Sequence, residues 1–124
     1  MPVIRRADAR RTRTPNAEMT TFASPTQGGS GIALWRVDMA PDATGPLHVF
    51  DTEQVWAVLD GAATVTVAGD AVPVAPGDSL VLPAGTPRRI AADPVRGVVA
   101  VVAAAAGARA AVPGGEPVLP EWIA

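Results

Sequence analysis

Short stretches in which apolar and polar residues alternate recur along the chain, and this period of two is the pattern of half-buried β-strands. The clearest stretch is 32–39, where Trp35 lies on an apolar face and Arg36 on the opposite, polar face. Similar stretches are 18–23, 63–67, 71–74, 79–82, 88–92 and 98–102. The apolar run that ends at Leu59 belongs with them. No stretch has the 3.6-residue period of an amphipathic helix. The pattern therefore predicts a succession of short strands.

Turn-forming residues separate these stretches. Asp60-Gly61 predicts a tight turn that joins the preceding run to 63–67 as a β-hairpin with a site at its mouth. Gly69-Asp70 predicts another turn, leading into an edge-like strand that tolerates Pro73. Short strands at intervals of roughly eight to twelve residues, with turns between them, indicate an all-β barrel or sandwich.

The length of 124 residues fits one domain with a single core. Residues 1–17 lack periodicity, so we expect an extended N-terminal arm with at most one short strand. The barrel is predicted to span 18–106. Residues 107–124 are predicted to form an irregular, proline-bound tail. Its Trp122-Ile123 pair is expected to pack on the barrel or on a partner chain, because such a pair is unusual in free solvent.

Composition and charge exclude several classes of function. The chain has no cysteine, which rules out disulfides, thiolate metal sites and cysteine nucleophiles. All ten basic residues are arginine, which suggests a GC-rich bacterial genome. Five of them lie in 1–13 beside one aspartate, giving +4, and the other five face eleven acidic residues, giving −6. The negative net charge outside residues 1–13 does not attract phosphates, so we expect no nucleic-acid partner.

A membrane location is not expected either. The basic start is followed by polar sequence and not by an apolar leader segment. The most apolar stretch, 95–106, contains Arg96 and is too short to cross a bilayer. We expect a soluble cytoplasmic protein.

The stretch from His48 to Gly61 resembles the first motif of the cupin superfamily, G-x5-H-x-H-x3-4-E-x6-G, and the stretch from Gly77 to Arg88 resembles the second, G-x5-P-x-G-x2-H-x3-N. The turn residues at motif positions are Gly61, Gly77, Pro83 and Gly85. The resemblance implies a small single-domain cupin with a double-stranded β-helix, or jelly-roll barrel. It also implies a homodimer, in which the N-terminal arm and a sheet edge pair across the interface.

The metal-ligand positions of these motifs are degenerate. The resemblance implies that two His, one Glu and a second-motif His would hold a divalent metal. Here only His48 is retained, and the other positions carry Phe50, Gln54 and Arg88. Phenylalanine cannot donate an electron pair and arginine is a cation, so no tightly bound metal is expected. If a divalent metal binds, His48 and Gln54 are its expected ligands, with Asp51 or Glu53 as a third candidate if it turns inward.

The same positions predict a different kind of site. Strand alternation places His48, Phe50, Gln54 and Trp56 on one face, and Arg88 arrives from a neighbouring strand. An aromatic-walled cavity with a few convergent polar groups is typical of small-molecule sites. We expect a carboxylated or carbonyl-bearing organic ligand, with its polar end on Arg88, His48 and Gln54 and its body on Phe50 and Trp56.

Simpler interpretations of these residues stay open. His48 can be a buried imidazole that bonds to backbone, and Phe50 and Trp56 can be core fillers. Arg88 can pair with Asp51 or Asp93 at the barrel mouth.

Three classes of function compete. The first is a ligand-binding cupin without a metal. The second is a cupin enzyme of the isomerase, cyclase, decarboxylase or dioxygenase type, using either a metal on His48 and Gln54 or His48 as acid and base. The third is a structural or assembly module. The identity of the ligand does not follow from the residues.

Overall fold

The structure, a computed structural model, describes all residues of the chain, 1–124. Its strands are β1 (Arg10–Arg13), β2 (Glu18–Ala23), β3 (Ile32–Met39), β4 (Val49–Phe50), β5 (Gln54–Gly61), β6 (Ala63–Val67), β7 (Asp70–Val74), β8 (Ser79–Leu82), β9 (Arg88–Ala92), β10 (Val98–Ala105) and β11 (Ala110–Ala111). A single 3-10 turn precedes them at Arg6–Asp8. No helix of a length and hydropathy that could cross a bilayer is present. The predicted all-β class is confirmed.

The strands form two main sheets that face each other. The larger has the order β1-β2-β3-β10-β5-β8, the smaller has the order β7-β6-β9, and β4 pairs with β11 as a short ribbon. All strand pairs are antiparallel. Alternate side chains of both sheets, such as Trp35, Val58, Val65, Ile90 and Val102, fill the space between them. This is the predicted jelly-roll barrel.

Most of the predicted strands are present with the expected bounds. β3 covers the predicted 32–39, and its burial alternates along the whole strand. β10 is longer than predicted and runs to Ala105, because its alternating small side chains stay buried on one face. β4 and β11 were not predicted, since two residues are too few to show a period.

The predicted hairpin around Asp60-Gly61 is wrong. β5 pairs with β10 and β8, whereas β6 pairs with β7 and β9, so the two strands lie in different sheets. The chain turns a corner at Gly61, whose φ is 71°. A Cβ atom there would overlap the carbonyl oxygen of Gly97, so the backbones approach too closely for any side chain.

The second predicted turn is confirmed, one residue earlier than expected. Val67 pairs with Asp70, which leaves Ala68 and Gly69 as a two-residue loop with φ values of 50° and 87°. Positive φ at both positions is characteristic of a hairpin turn that matches the strand twist. Pro73 lies in β7, at the edge of the smaller sheet, where its missing N–H leaves no ladder bond unmade.

Both ends of the chain pack on their own barrel. β1 extends the larger sheet beside β2. At the other end, Ile123 is fully buried and the hydroxyl of Thr21 donates to the carbonyl oxygen of Trp122 across 2.8 Å. Arg10 donates to the carbonyl oxygen of Ala124 at the same distance, 2.8 Å. Pairing of two chains stays a prediction.

Candidate functional site

A cavity of about 740 Å³ opens between the inner faces of the two sheets. All five side chains singled out from the sequence line it, and they are called the inner wall below: His48, Phe50, Gln54, Trp56 and Arg88. The outer part is lined by residues 12–17 and by parts of 110–122. The volume is in the range that accommodates a small organic molecule.

Strand geometry brings the inner wall together. Gln54 and Trp56 are two residues apart on β5 and therefore point to the same side, into the barrel. Arg88 begins β9 in the opposite sheet. His48 is joined to Arg88 by two backbone hydrogen bonds of 3.1 and 3.0 Å, so the stretch leading into β4 is held against β9.

Arg88 is a buried cation without a carboxylate partner. Only 2% of the residue is exposed, and its Nη2 donates to Oε1 of Gln54 across 2.7 Å. Its Cζ lies 4.3 Å from the centroid of the Phe50 ring, a cation–π contact. Nε and Nη1 have no hydrogen-bond partner. Burial lowers the pKa of Arg88 from 12.5 to about 10, which leaves it charged at neutral pH.

The simpler interpretation of Arg88, in which it pairs with Asp51 or Asp93, is wrong. The Asp51 carboxylate accepts a hydrogen bond from the backbone N–H of Arg109. The Asp93 carboxylate accepts from the N–H groups of Val95 and Arg96, and these bonds lower the pKa of Asp93. Both carboxylates are therefore engaged outside the cavity.

Gln54 is as deeply buried as Arg88, with 1% of the residue exposed. Its Oε1 accepts two hydrogen bonds, from Nη2 of Arg88 and from the indole Nε1 of Trp56, the latter at 3.1 Å. Its Nε2 has no partner. Buried polar groups are normally satisfied, so each unpartnered nitrogen here calls for a reason.

His48 is partly buried at the side of the same cavity. Its Nδ1 lies 2.8 Å from the carbonyl oxygen of Pro46 and donates to it, which leaves Nε2 as the ring's proton acceptor. Burial is the main cause that lowers the pKa of His48; the Pro46 bond opposes this and the charge of Arg88 adds to it. The hydrogen bond to backbone expected of a simple buried imidazole is present, but it involves only Nδ1 and leaves Nε2 free.

Aromatic rings form the apolar part of the wall. Phe50 packs edge to face with His48 at a centroid distance of 5.0 Å, and both Phe50 and Trp56 belong to the hydrophobic core. They are core fillers that also face the cavity. Sequence reasoning missed two further rings of the lining, Trp35 and Trp122. The inward position of Trp35 in the alternating stretch 32–39 was the signal for the first of them.

The residues at the family's metal-ligand positions do not fit a metal ion. His48 is the only imidazole, the Gln54 oxygen already accepts two hydrogen bonds, and Arg88 places a positive charge beside them. Asp51 and Glu53, the candidates for a third ligand, are exposed. No three His, Asp or Glu side chains converge in an arrangement that could hold a metal.

A second groove, of about 1050 Å³, lies between the N-terminal arm and the outer face of β2 and β3. Two of its solvated arginines are paired with carboxylates, Arg13 with Glu18 at 2.7 Å and Arg36 with Asp38 at 2.8 Å. Exposed ion pairs of this kind contribute little to binding or stability. The interior cavity, with its unpartnered buried nitrogens, is the candidate site.

Comparisons with solved structures show the same fold. The polyketide cyclase RemF from Streptomyces resistomycificus aligns with a TM-score of 0.74 and 22% identity, covering 87% of this chain and 81% of that one. KdgF from Halomonas sp. aligns with a TM-score of 0.69 and 18% identity, covering 85% and 94%. For a salicylate 1,2-dioxygenase from Pseudaminobacter salicylatoxidans the values are 0.72 and 18%, covering 86% and 33%.

At these identities the likeness shows the fold and not the activity. No curated protein matches the chain at a significant level. The family model described as the cupin domain matches residues 35–103, more than half of the chain. That stretch holds the whole inner wall of the cavity. The chain therefore belongs to the cupin family.

Proposed function

We propose that this cupin binds a small organic anion in the interior cavity, with Arg88 supplying the positive charge in place of a metal ion. The observation that carries the proposal is the uncompensated burial of Arg88, which is 2% exposed and has no carboxylate partner. A buried charge without a partner is strongly unfavourable. A carboxylate or similar oxyanion bound beside the guanidinium would remove that penalty.

The rest of the wall suits the body of such a ligand. Phe50 and Trp56 present apolar ring surface next to the charged end, and the cavity volume of about 740 Å³ leaves room for a molecule of several rings. A few polar groups at one end of an apolar cavity orient a ligand while the apolar surface supplies affinity. A purely structural module is disfavoured, because an apolar residue in place of Arg88 would serve a packed core better.

A second candidate function is metal-free enzymatic catalysis in the same cavity. Nε2 of His48 is free to accept a proton, and burial keeps the ring neutral at neutral pH. The ring could remove a proton from carbon next to a substrate carbonyl, with the resulting oxyanion on Arg88, and return the proton at another atom. RemF, described as a polyketide cyclase, shares the fold. Return of the proton to another carbon would be an isomerisation; attack of the enolate carbon on a second carbonyl of the same substrate, whose alkoxide then takes the proton, would be a ring closure.

The test of anion binding combines metal analysis with ligand titration. Natively purified, untagged protein is examined by elemental analysis, and the same sample by native mass spectrometry for a co-purified organic acid. Binding of 2-naphthoate is then measured by calorimetry for the wild type and for Arg88→Met. We expect no stoichiometric metal and a loss of naphthoate affinity of about 100-fold or more in the variant, since a charged hydrogen-bonded contact is removed.

A gain-of-metal variant is the matched control. Phe50→His, Gln54→Glu and Arg88→His together restore the donors of the family motifs. We expect this triple variant to bind Co²⁺ with visible absorption bands, and the wild type to show none. A stoichiometric transition metal in the wild type, or unchanged naphthoate affinity in Arg88→Met, would contradict the proposal.

A further inference from the structure

We infer that Gln54 is locked as a hydrogen-bond donor toward the cavity and thereby selects ligands whose polar group is a singly charged carboxylate. The inference rests on the proposed anion-binding function and names the ligand class for that site. Oε1 of Gln54 accepts from Nη2 of Arg88 at 2.7 Å and from Nε1 of Trp56 at 3.1 Å.

That orientation follows from chemistry. Guanidinium and indole nitrogens can only donate hydrogen bonds. Turning the Gln54 amide over would place its NH₂ group against two donors and leave all three groups without an acceptor. Because the amide is 1% exposed, no solvent can compensate for such a turn. Arg88 and Trp56 therefore fix which end of Gln54 is free.

The free end is Nε2, which carries two hydrogens and has no partner. The other unpartnered polar atoms of the inner wall are Nε and Nη1 of Arg88. All three are N–H donors. In the inner wall, only Nε2 of the partly exposed His48 can accept. The unpartnered buried polar atoms of the inner wall are thus all donors, and they carry one positive charge.

A ligand group that meets this set must consist of acceptors. A carboxylate has two acceptor oxygens, no hydrogen to donate, and one negative charge to offset Arg88. A primary carboxamide has almost the same shape, but its NH₂ would face N–H donors and it would leave Arg88 uncompensated. With aromatic rings around the apolar part, the class that fits best is an aromatic carboxylic acid in its ionised form.

The proposed selectivity for a carboxylate requires that the side chain of Gln54 is neutral. A glutamate at this position would pair with Arg88 and cancel the charge that the ligand uses. Trp56 acts as a positioning residue, because its N–H occupies the second lone pair of the Gln54 oxygen. Replacing it by phenylalanine keeps a ring in the wall and removes that N–H.

The test uses matched acids and amides of increasing size: benzoate and benzamide, 2-naphthoate and 2-naphthamide, anthracene-2-carboxylate and its amide. Affinities are measured by calorimetry for the wild type, Gln54→Glu, Trp56→Phe and the control Val55→Ala, which changes the outward face of β5. We expect the wild type and the control to prefer each acid by about 100-fold or more, as sites built around a specific hydrogen-bond pattern do.

The variants are expected to differ in selectivity. Gln54→Glu should bind acids much more weakly than the wild type and no longer prefer them to amides. Trp56→Phe should still bind acids, but with a smaller preference over amides. Equal affinity of the wild type for acid and amide would overturn this inference and leave anion binding standing. Binding of no probe by the wild type would overturn the proposed function and this inference with it. Wild-type selectivity in Gln54→Glu would show that another group sets the preference.

Discussion

The guanidinium of Arg88 lies 2.7 Å from the amide oxygen of Gln54 inside the barrel, and no carboxylate pairs with it. Two buried polar groups thus satisfy each other in part and leave three nitrogens unused. In a core built only for stability, apolar residues would be favoured at both positions. These unused nitrogens are the basis of our proposal that a ligand binds beside the pair.

Replacing Arg88 by methionine should make the ligand-free protein more stable. The substitution removes an unpaired buried charge and keeps a long side chain in the core, while the Gln54 oxygen retains its bond from Trp56. We expect the free energy of unfolding in urea to rise by about 1–4 kcal/mol. Arg89→Met, at the exposed neighbouring position, should stay within about 0.5 kcal/mol of the wild type. A marked loss of stability in Arg88→Met would contradict the view that this charge is held for binding.

Stability should depend on pH through His48. Burial lowers its pKa in the folded state below the 6.5 of the unfolded chain, so between these two values the unfolded state binds more protons. The free energy of unfolding should therefore be at its full value above pH 6.5 and fall as the pH drops below it. Urea titrations from pH 8 to pH 5 check this, and His48→Asn should remove the dependence.

The chain has one histidine, so a proton NMR titration reports on His48 alone. We expect its midpoint below 6.5. A midpoint at or above that value would contradict the lowered pKa. Addition of 2-naphthoate should move the midpoint upward, because a bound carboxylate offsets the charge of Arg88 that disfavours protonation of the ring.

Gly61 should be intolerant of any side chain. Gly61→Ala would force an alanine into positive φ and press its Cβ against the carbonyl of Gly97. We expect a loss of about 3 kcal/mol or more, measured by urea unfolding. Gly69→Ala is the matched control, since Gly69 also has positive φ but has open space around it, and should lose only about 1–2 kcal/mol. Similar losses for both variants would show that the close approach is not the cause.

Ile123 should anchor the tail that covers the cavity. Its side chain is fully buried, so Ile123→Ala should lower the free energy of unfolding by about 2–5 kcal/mol. Val118→Ala, at a position that is 59% exposed, should change it by no more than about 0.5 kcal/mol. Thermal and urea unfolding of the two variants check the difference. An equal effect would mean that the tail contributes little to folding.

The fold could be predicted from local patterns because its strands alternate so regularly. The stretch 32–39 predicted β3 residue for residue, and the glycine of the Ala68-Gly69 loop predicted the hairpin between β6 and β7. Alternation along β5 was also enough to place Gln54 and Trp56 on one face. These features depend on residues that are near each other in sequence.

What could not be predicted depends on contacts between distant residues. Asp60-Gly61 has the composition of a hairpin turn, and only the approach of Gly97 shows that the chain changes sheets there. Likewise, the sequence offers Asp51 and Asp93 as partners for Arg88, and only the folded chain shows that both are engaged by backbone N–H groups elsewhere. The hydrogen bond from the indole of Trp56 to Gln54 could not be predicted either, because it depends on the rotamers of both side chains.

The outer part of the cavity is lined by residues 12–17 and by parts of 110–122. In the sequence, these two segments lie before and after most of the barrel strands. The central ladders, in which β10 pairs with β3 and with β5, use neither segment. These ladders therefore do not depend on hydrogen bonds from the segments that close the cavity. For a ligand bound as we propose, local detachment of the tail is the expected exit route, since it does not require global unfolding. If the proposed ligand leaves by this route, its residence time depends on the opening rate of the tail, so changes in the tail are expected to alter exchange kinetics more than equilibrium affinity.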